Sequence, residues 1–247
     1  MIDLNQIKKY VPPKEWREIQ TIDAHTGGEP LRIIISGYPE LKGKSILEKR
    51  KNAKENFDSF RKSLIWEPRG HADMYGAIIV EPDSSDSHFG VIFVHNEGYS
   101  TGCGHAVIAL TKVFVEAGLI PMNEPETEVR MDVPSGFIRS FAKIENGKVV
   151  SVRFKNVPSF VQKLNAEVNI PRLGKIKYDL AFGGAFYAFV DVNQVGLDCS
   201  EKNYKSLIET GMHIKHEITK TVKMNHPTER EMNYLYGTIF TGPPKDP

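Results

Sequence analysis

The spacing of apolar and polar residues along the chain predicts more strand than helix. Polar and apolar residues alternate over Glu18–Asp23, the run His25–Pro30 has the glycine and proline content of a turn, and Leu31–Ile35 resumes strand character. The same alternation, or a short apolar run, predicts further strands at residues 76–80, 90–94, 128–132, 137–144, 149–154, 160–168, 175–180, 184–190 and 233–240. The pair Asn146-Gly147 between two of them is a strong hairpin signal.

Helical spacing of apolar residues marks two further segments. Between Ser45 and Leu64 charged residues dominate, but apolar residues recur at a spacing that predicts a solvent-facing amphipathic helix capped by Ser45. Asp198 and Glu201 have the spacing of a capping box, which predicts a helix that reaches about Val222.

The segment Tyr99–Leu110 has the character of a strand, then a turn, then a helix. This helix is expected to run from Cys103 to about Ala117, because Gly118 favours a helix stop. Apolar residues cover nearly all of its surface and leave only a narrow polar stripe, formed by Thr111, Lys112 and Glu116. We therefore predict a central helix that other elements enclose.

Composition predicts a folded protein with no nucleic-acid or membrane partner. The chain has 247 residues, 40% of them hydrophobic, which is enough to bury a core. Its 32 basic and 31 acidic side chains give a net charge of +1, without a block of like charges that would follow phosphates or a membrane surface. The first residues contain no apolar run, so we expect a cytoplasmic location.

Cys103 and Cys199 are the two cysteines of the chain, too few for a disulfide framework or a cysteine-built zinc site. Both thiols are expected to be reduced. The histidines are scattered, and no pair has the spacing that places two ligands on one helical face. We expect neither a metal site nor a cofactor.

Cys103 stands between two glycines at a predicted helix start, where free backbone N–H groups and the positive end of the helix dipole favour an anion. This position predicts a thiol pKa lowered from about 8.5. The N–H groups of Gly104 and His105 could hold a substrate carboxylate, since glycine permits close approach of the backbone. The residues also leave open a plain structural role for Cys103 as a small core side chain.

Other candidate residues are given weaker roles. His105 follows Cys103 by two positions, and residues that close on a helix do not face each other, so its backbone N–H rather than its imidazole is expected to act. Cys199 lacks flanking glycines and is interpreted as structural. The charged turn Glu67–Asp73 is more typical of a solvated loop than of a site. The pair Gly183-Gly184 indicates a bulge more strongly than a ligand approach.

Five segments together give the chain a family likeness. They are Asp23–Pro30, Glu67–His71, His95–Tyr99, Cys103–His105 and Phe182–Tyr187. In combination, and over nearly the whole chain, they resemble the proline racemase family. The resemblance implies that Cys103 is a catalytic acid/base and that Gly104 and His105 help to bind the substrate carboxylate.

The resemblance also implies a fold. We expect an α/β (α+β) architecture similar to diaminopimelate epimerase, with two pseudo-symmetric domains, each a β-sheet wrapped around a central helix. The first domain is predicted at residues 1–156 with Cys103 at the start of its central helix. Residues 157–247 would form part of an incomplete second domain, and exposed apolar surface is expected where the rest would pack.

Within the family, His95–Ser100 and Leu235–Ile239 are most similar to trans-3-hydroxy-L-proline dehydratases. The resemblance therefore implies a cofactor-independent lyase acting on a proline-type amino acid. The motif that separates dehydratases from racemases and epimerases lies later in the family's sequences, beyond Pro247. A proline racemase or 4-hydroxyproline 2-epimerase, an inactive or binding-only fragment, and, less favoured, a redox thiol protein stay open as alternatives, as does a homodimer.

Overall fold

The computed structural model describes residues 3–244, which form two β-sheets. The strands of the first sheet are β1 (Gln20–Thr26), β2 (Glu29–Ser36), β3 (Tyr75–Val80), β4 (Phe89–His95), β5 (Gly98–Ser100), β6 (Glu126–Val133), β7 (Gly136–Glu145) and β8 (Lys148–Lys155). The strands of the second sheet are β9 (Phe160–Ile170), β10 (Gly174–Phe182), β11 (Phe186–Asp191) and β12 (Leu235–Thr241). We call these sheets A and B. The predicted strands are confirmed, most of them to within two residues at either end.

The α-helices are α1 (Ile46–Asn56), α2 (Asp58–Ile65), α3 (Gly104–Glu116) and α4 (Tyr204–Thr221). Short 3-10 turns occupy Leu4–Lys9, Val192–Val195, Glu201–Asn203 and Arg230–Met232. Among the described residues, no helix is long and apolar enough to cross a membrane.

Sheet A wraps around α3. Its order is β1-β2-β3-β4-β6-β7-β8, with β5 paired to β4, and α3 contacts both edge strands, β1 and β8. The predicted central helix is confirmed, because Val107, Leu110 and Val115 are almost fully buried against the sheet. The predicted polar stripe is wrong at Thr111, which is fully buried and shares a hydrogen bond with Ser140 of β7.

The predicted helix over 45–64 is two helices. Ser45 caps α1, as predicted, by accepting a hydrogen bond from the Glu48 N–H at 3.2 Å. The helix breaks at Phe57, whose backbone leaves the helical region. The two helices pack apolar side chains, including Ala53 of α1 and Ile65 of α2, against the face of sheet A that lies opposite α3. The solvent-facing description therefore holds for only part of this segment.

Sheet B follows sheet A along the chain and has the order β12-β11-β10-β9. The helix α4 contacts β9 and β12, and β12 returns parallel to β11. One apolar cluster contains residues of both sheets, so the two share a core. The division of the chain at residue 156 stays a prediction.

The predicted capping box at Asp198 and Glu201 is wrong. The α-helix begins at Tyr204, after a 3-10 turn that contains Glu201. Asp198 instead accepts a hydrogen bond from the Ser200 N–H at 2.9 Å. Its carboxylate therefore closes a local turn before the helix rather than capping the helix itself.

Candidate active site

The candidate site lies at the amino-terminal end of α3. Cys103 is the residue that precedes the helix, with an extended backbone (φ −153°, ψ 101°), and its carbonyl accepts from the Val107 N–H at 3.1 Å. Within residues 3–244, the N–H groups of Gly104 and His105 have no hydrogen-bond acceptor. A side chain at Gly104 would come within 3.2 Å of the Phe154 ring. The predicted free amide groups are therefore present, and glycine keeps their surroundings open.

The imidazole of His105 lies beside the Cys103 thiol. The sulfur is 3.4 Å from Nδ1 and 3.6 Å from Nε2. The expectation that these two side chains would not meet is wrong. The spacing rule applies to residues within a helix, whereas Cys103 is extended and directs its side chain independently of the helical turn.

Burial favours the neutral form of both groups. Burial raises the pKa of the Cys103 thiol to about 12, although a backbone hydrogen bond from Ala106 lowers it, and the charge of Glu29 raises it further. The predicted lowering of this pKa is therefore wrong, because the loss of hydration outweighs the helix terminus. Burial lowers the pKa of His105, against smaller opposite effects of Glu29 and the Pro30 backbone.

Three contacts fix His105 and its surroundings in place. The Thr26 hydroxyl donates to the His105 carbonyl at 2.8 Å and ties the first turn of α3 to β1. The ring of Tyr75 meets the His105 imidazole edge-to-face, with centroids 4.9 Å apart and planes at 82°. The Tyr75 ring is itself stacked on His95, with centroids 5.1 Å apart. The imidazole is therefore oriented by neighbours from β1 and β3.

A pair of tyrosines joins the two sheets at this site. The hydroxyls of Tyr75 on β3 and Tyr236 on β12 are 2.5 Å apart, and the Tyr187 ring of β11 lies 5.4 Å from the Tyr236 ring. Burial raises the pKa of Tyr75 to about 12 and raises the pKa of Tyr187 as well. Sequence reasoning missed this cluster of three tyrosines, because Tyr75 and Tyr236 are far apart in the chain and only the tertiary fold brings them together.

The loop before Cys103 rests on the turn between β10 and β11. The Thr101 hydroxyl donates to the Gly184 carbonyl, and the Thr101 carbonyl accepts from the Ser135 N–H at 3.0 Å. Gly183 and Gly184 form a hairpin turn between the paired residues Phe182 and Phe186 rather than the expected bulge. Gly184 has a φ of +106°, a conformation that glycine adopts at low cost. Sheet B thus supports the loop that carries Cys103.

The remaining candidate residues make contacts elsewhere in sheet A or are exposed. The segment Glu67–Asp73 supports neighbouring turns, since the Arg69 carbonyl accepts from Arg32 at 2.7 Å and the His71 carbonyl accepts from Asn96 at 3.0 Å. Cys199 is exposed and precedes a 3-10 turn. The described part of the chain contains no group of three histidine, cysteine or acidic side chains that could hold a metal ion.

Curated relatives match most of the chain. A trans-3-hydroxy-L-proline dehydratase of Colwellia psychrerythraea is 46% identical, over 97% of this chain and 67% of its own length. A 3-hydroxyproline 2-epimerase of Burkholderia multivorans is 45% identical, over 94% of this chain and 69% of its own length. The chain therefore spans about two thirds of the length of these relatives.

A solved structure and a family model agree with these matches. The crystal structure of a hydroxyproline epimerase from Agrobacterium vitis, with bound trans-4-OH-L-proline, superimposes with a TM-score of 0.87 at 30% identity, over 92% of this chain and 67% of that one. The predicted fold class is thereby confirmed. The family model described as proline racemase matches residues 21–247. The chain, with its thiol at the start of the enclosed helix, belongs to the proline racemase family.

Proposed function

We propose that this chain carries the base of a cofactor-independent dehydratase that converts trans-3-hydroxy-L-proline to a pyrroline-2-carboxylate and water. The observation that carries the proposal is the position of Cys103, whose sulfur lies at the start of α3 next to two free backbone N–H groups. Relatives named for this reaction support the choice of substrate.

The free N–H groups and the Cys103 thiol would have different roles in the reaction. The N–H groups of Gly104 and His105 would hold the substrate carboxylate and stabilise the charge that builds up as the α-carbon loses its proton. Cys103 would take that proton. Burial keeps its thiol neutral, so it must first ionise, and the ring ammonium of the bound substrate supplies a positive charge that favours the thiolate.

The stereochemistry of the substrate suits a single cysteine. The hydroxyl of trans-3-hydroxy-L-proline is trans to the carboxylate, so it lies on the same ring face as the α-hydrogen. One face of the ring then presents both groups that leave. A racemase or epimerase must instead return a proton to the opposite face and needs a second acid/base group there. One relative is named a 3-hydroxyproline 2-epimerase, so epimerisation is the alternative reaction.

The test is product analysis with trans-3-hydroxy-L-proline and L-proline in D2O. We expect water loss from the hydroxylated substrate, abolished in Cys103→Ser and retained in Cys199→Ser, the matched control for the exposed cysteine. Inversion at the α-carbon without water loss would overturn the dehydratase in favour of the epimerase. No turnover by a well-folded sample would also overturn it, and would favour a binding-only or fragment role.

A further inference from the structure

We propose that the imidazole of His105 is a second catalytic group, which accepts the thiol proton of Cys103 and delivers it to the departing hydroxyl. This inference rests on the proposed dehydration and deepens it. It assigns the acid that protonates the leaving group to the imidazole beside the cysteine.

The geometry brings the two groups within reach of a proton transfer. The Cys103 sulfur lies 3.4 Å from His105 Nδ1 and 3.6 Å from Nε2, so either ring nitrogen can share the thiol proton. Both residues lie at the amino-terminal end of α3 with their side chains in contact, so a substrate held at the free N–H groups could meet both from one face. A syn elimination requires this arrangement, because the proton and the hydroxyl leave from one face.

The surroundings make His105 the best acceptor near the sulfur. Tyr75, Tyr187 and Tyr236 also lie near the sulfur, but burial raises their pKa values, so their hydroxyls stay protonated. His95 lies beyond Tyr75, and burial lowers its pKa to about 4. Burial lowers the pKa of His105, and the negative charge of Glu29 partly offsets this by favouring the protonated form.

Each proton that moves has a donor and an acceptor over one turnover. The thiol proton passes to His105, which gives a thiolate and an imidazolium. The thiolate then takes the α-proton and becomes a thiol again, while the electron pair of the broken C–H bond forms the double bond to the β-carbon. As the C–O bond breaks, the imidazolium protonates the hydroxyl, which leaves as water. The site returns to a thiol and a neutral imidazole, the forms that burial favours for both groups.

Tyr75 acts here as a positioning residue. It touches the His105 ring edge-to-face, and its own hydroxyl is held by Tyr236 from the other sheet. The imidazole is thereby kept beside the sulfur by a contact that spans both sheets. Its orientation depends on how sheets A and B meet.

The test compares two leaving groups. Fluoride departs from carbon with far less need of an acid than hydroxide, so trans-3-fluoro-L-proline separates removal of the α-proton from protonation of the leaving group. In His105→Gln and His105→Asn we expect the rate with the hydroxylated substrate to fall by about 100-fold or more, and the rate with the fluorinated one by at least about tenfold less than that. His216→Gln, an exposed histidine of α4, is the matched control and should leave both rates unchanged. Equal losses with both substrates would overturn the acid role.

A second readout does not require turnover. In a Cys199→Ser background, iodoacetamide reports the reactivity of Cys103 alone. We expect His105→Gln to slow alkylation at about pH 7 by about tenfold, the effect of a thiol pKa change of about one. An unchanged alkylation rate would contradict proton sharing between the two side chains. A wild type that eliminates neither leaving group, yet shows the alkylation difference, would overturn the dehydratase function while the proton-sharing pair stands.

Discussion

His95 is a neutral histidine that packs on Tyr75 beside the site. Its ring stacks on Tyr75 at 5.1 Å, and its Nδ1 accepts a hydrogen bond from the Glu97 N–H at 3.2 Å. Burial lowers its pKa to about 4, and the charges of Arg61 and Lys215 lower it further. The folded protein therefore excludes a proton that the unfolded chain binds readily below the ordinary histidine pKa of 6.5.

This difference predicts an acid-sensitive contribution to stability. Because the folded-state pKa is depressed, the contribution is fully present above pH 6.5 and is lost as the pH falls toward about 4. Between about pH 7 and about pH 4.5, the free energy of unfolding of the wild type should fall by about 1–2 kcal/mol more than that of His95→Gln. Urea denaturation of both proteins at each pH measures these free energies of unfolding. Parallel losses in the two proteins would show that His95 does not contribute.

Individual site residues could be predicted from sequence only where a local rule fixes them. Cys103 and Gly104 could be predicted as site residues because they stand at a helix start with flanking glycines. The free N–H groups could be predicted from helix geometry. The ionisation of Cys103 could not be predicted, because burial depends on tertiary packing. The Tyr75–Tyr236 contact joins residues of two different sheets, and no sequence spacing indicates it.

At the level of elements, α3 is anchored to sheet A by a buried polar pair. The Thr111 hydroxyl donates to the Val107 carbonyl at 2.7 Å and lies 2.6 Å from the Ser140 hydroxyl of β7. Since the Thr111 proton goes to Val107, Ser140 is the donor of the shorter bond to Thr111, and the Val129 carbonyl of β6, 3.2 Å away, is the alternative acceptor for the single Ser140 proton. The chain of hydrogen bonds fixes the rotation of the helix, and with it the direction in which its first turn presents Cys103.

A double-mutant cycle tests this anchor. Thr111→Val and Ser140→Ala should each lower the free energy of unfolding by about 1–2 kcal/mol, because each removes one buried partner. The double variant should lose less than the sum, since the second change no longer strands a hydroxyl. Thr127→Val, a buried threonine bonded instead to Asn123, should add to Thr111→Val without coupling. Strict additivity of Thr111→Val and Ser140→Ala in denaturant titrations would contradict the anchor.

Elements were predictable where periodicity alone decides them. The strands of both sheets follow from alternation, and the turn at Asn146-Gly147 follows from two residues that adopt positive φ. The break at Phe57 was not predictable, because helical spacing continues across it and tertiary packing decides where the helix turns. The start of α4 was misjudged because a carboxylate followed three residues later by glutamate also occurs in isolated turns.

At the level of the whole molecule, the site depends on both sheets. Cys103 and His105 come from the helix that sheet A encloses, whereas Tyr236 and the Gly183-Gly184 turn come from sheet B. Local sequence rules gave no indication of this joint site, because each of these contacts joins segments far apart in the chain.

The exposed apolar surface predicted beside an incomplete second domain stays a prediction, and sheet B has two exposed aliphatic side chains on its edge strand β9. The face directed away from the core forms an open groove of about 450 Å³, lined by the apolar Val161, Leu164 and Phe189 and by polar side chains that include Lys177, Asp179 and Gln194. Val161 and Leu164 are 55% and 65% exposed.

The groove should bind ANS, a dye whose fluorescence rises in apolar surroundings. Replacing the two exposed aliphatic side chains of the groove should remove most of the fluorescence of the bound dye. Val161→Thr combined with Leu164→Gln keeps strand-compatible side chains that point outward, so the free energy of unfolding should change by no more than about 0.5 kcal/mol. Leu119→Gln is the matched control, because Leu119 is also 65% exposed but lies in the loop after α3. Fluorescence titration and urea denaturation of all three proteins separate the outcomes. If the Leu119 variant lost as much fluorescence as the double variant, the dye would be reporting scattered exposed side chains, and the groove would not be a distinct apolar surface.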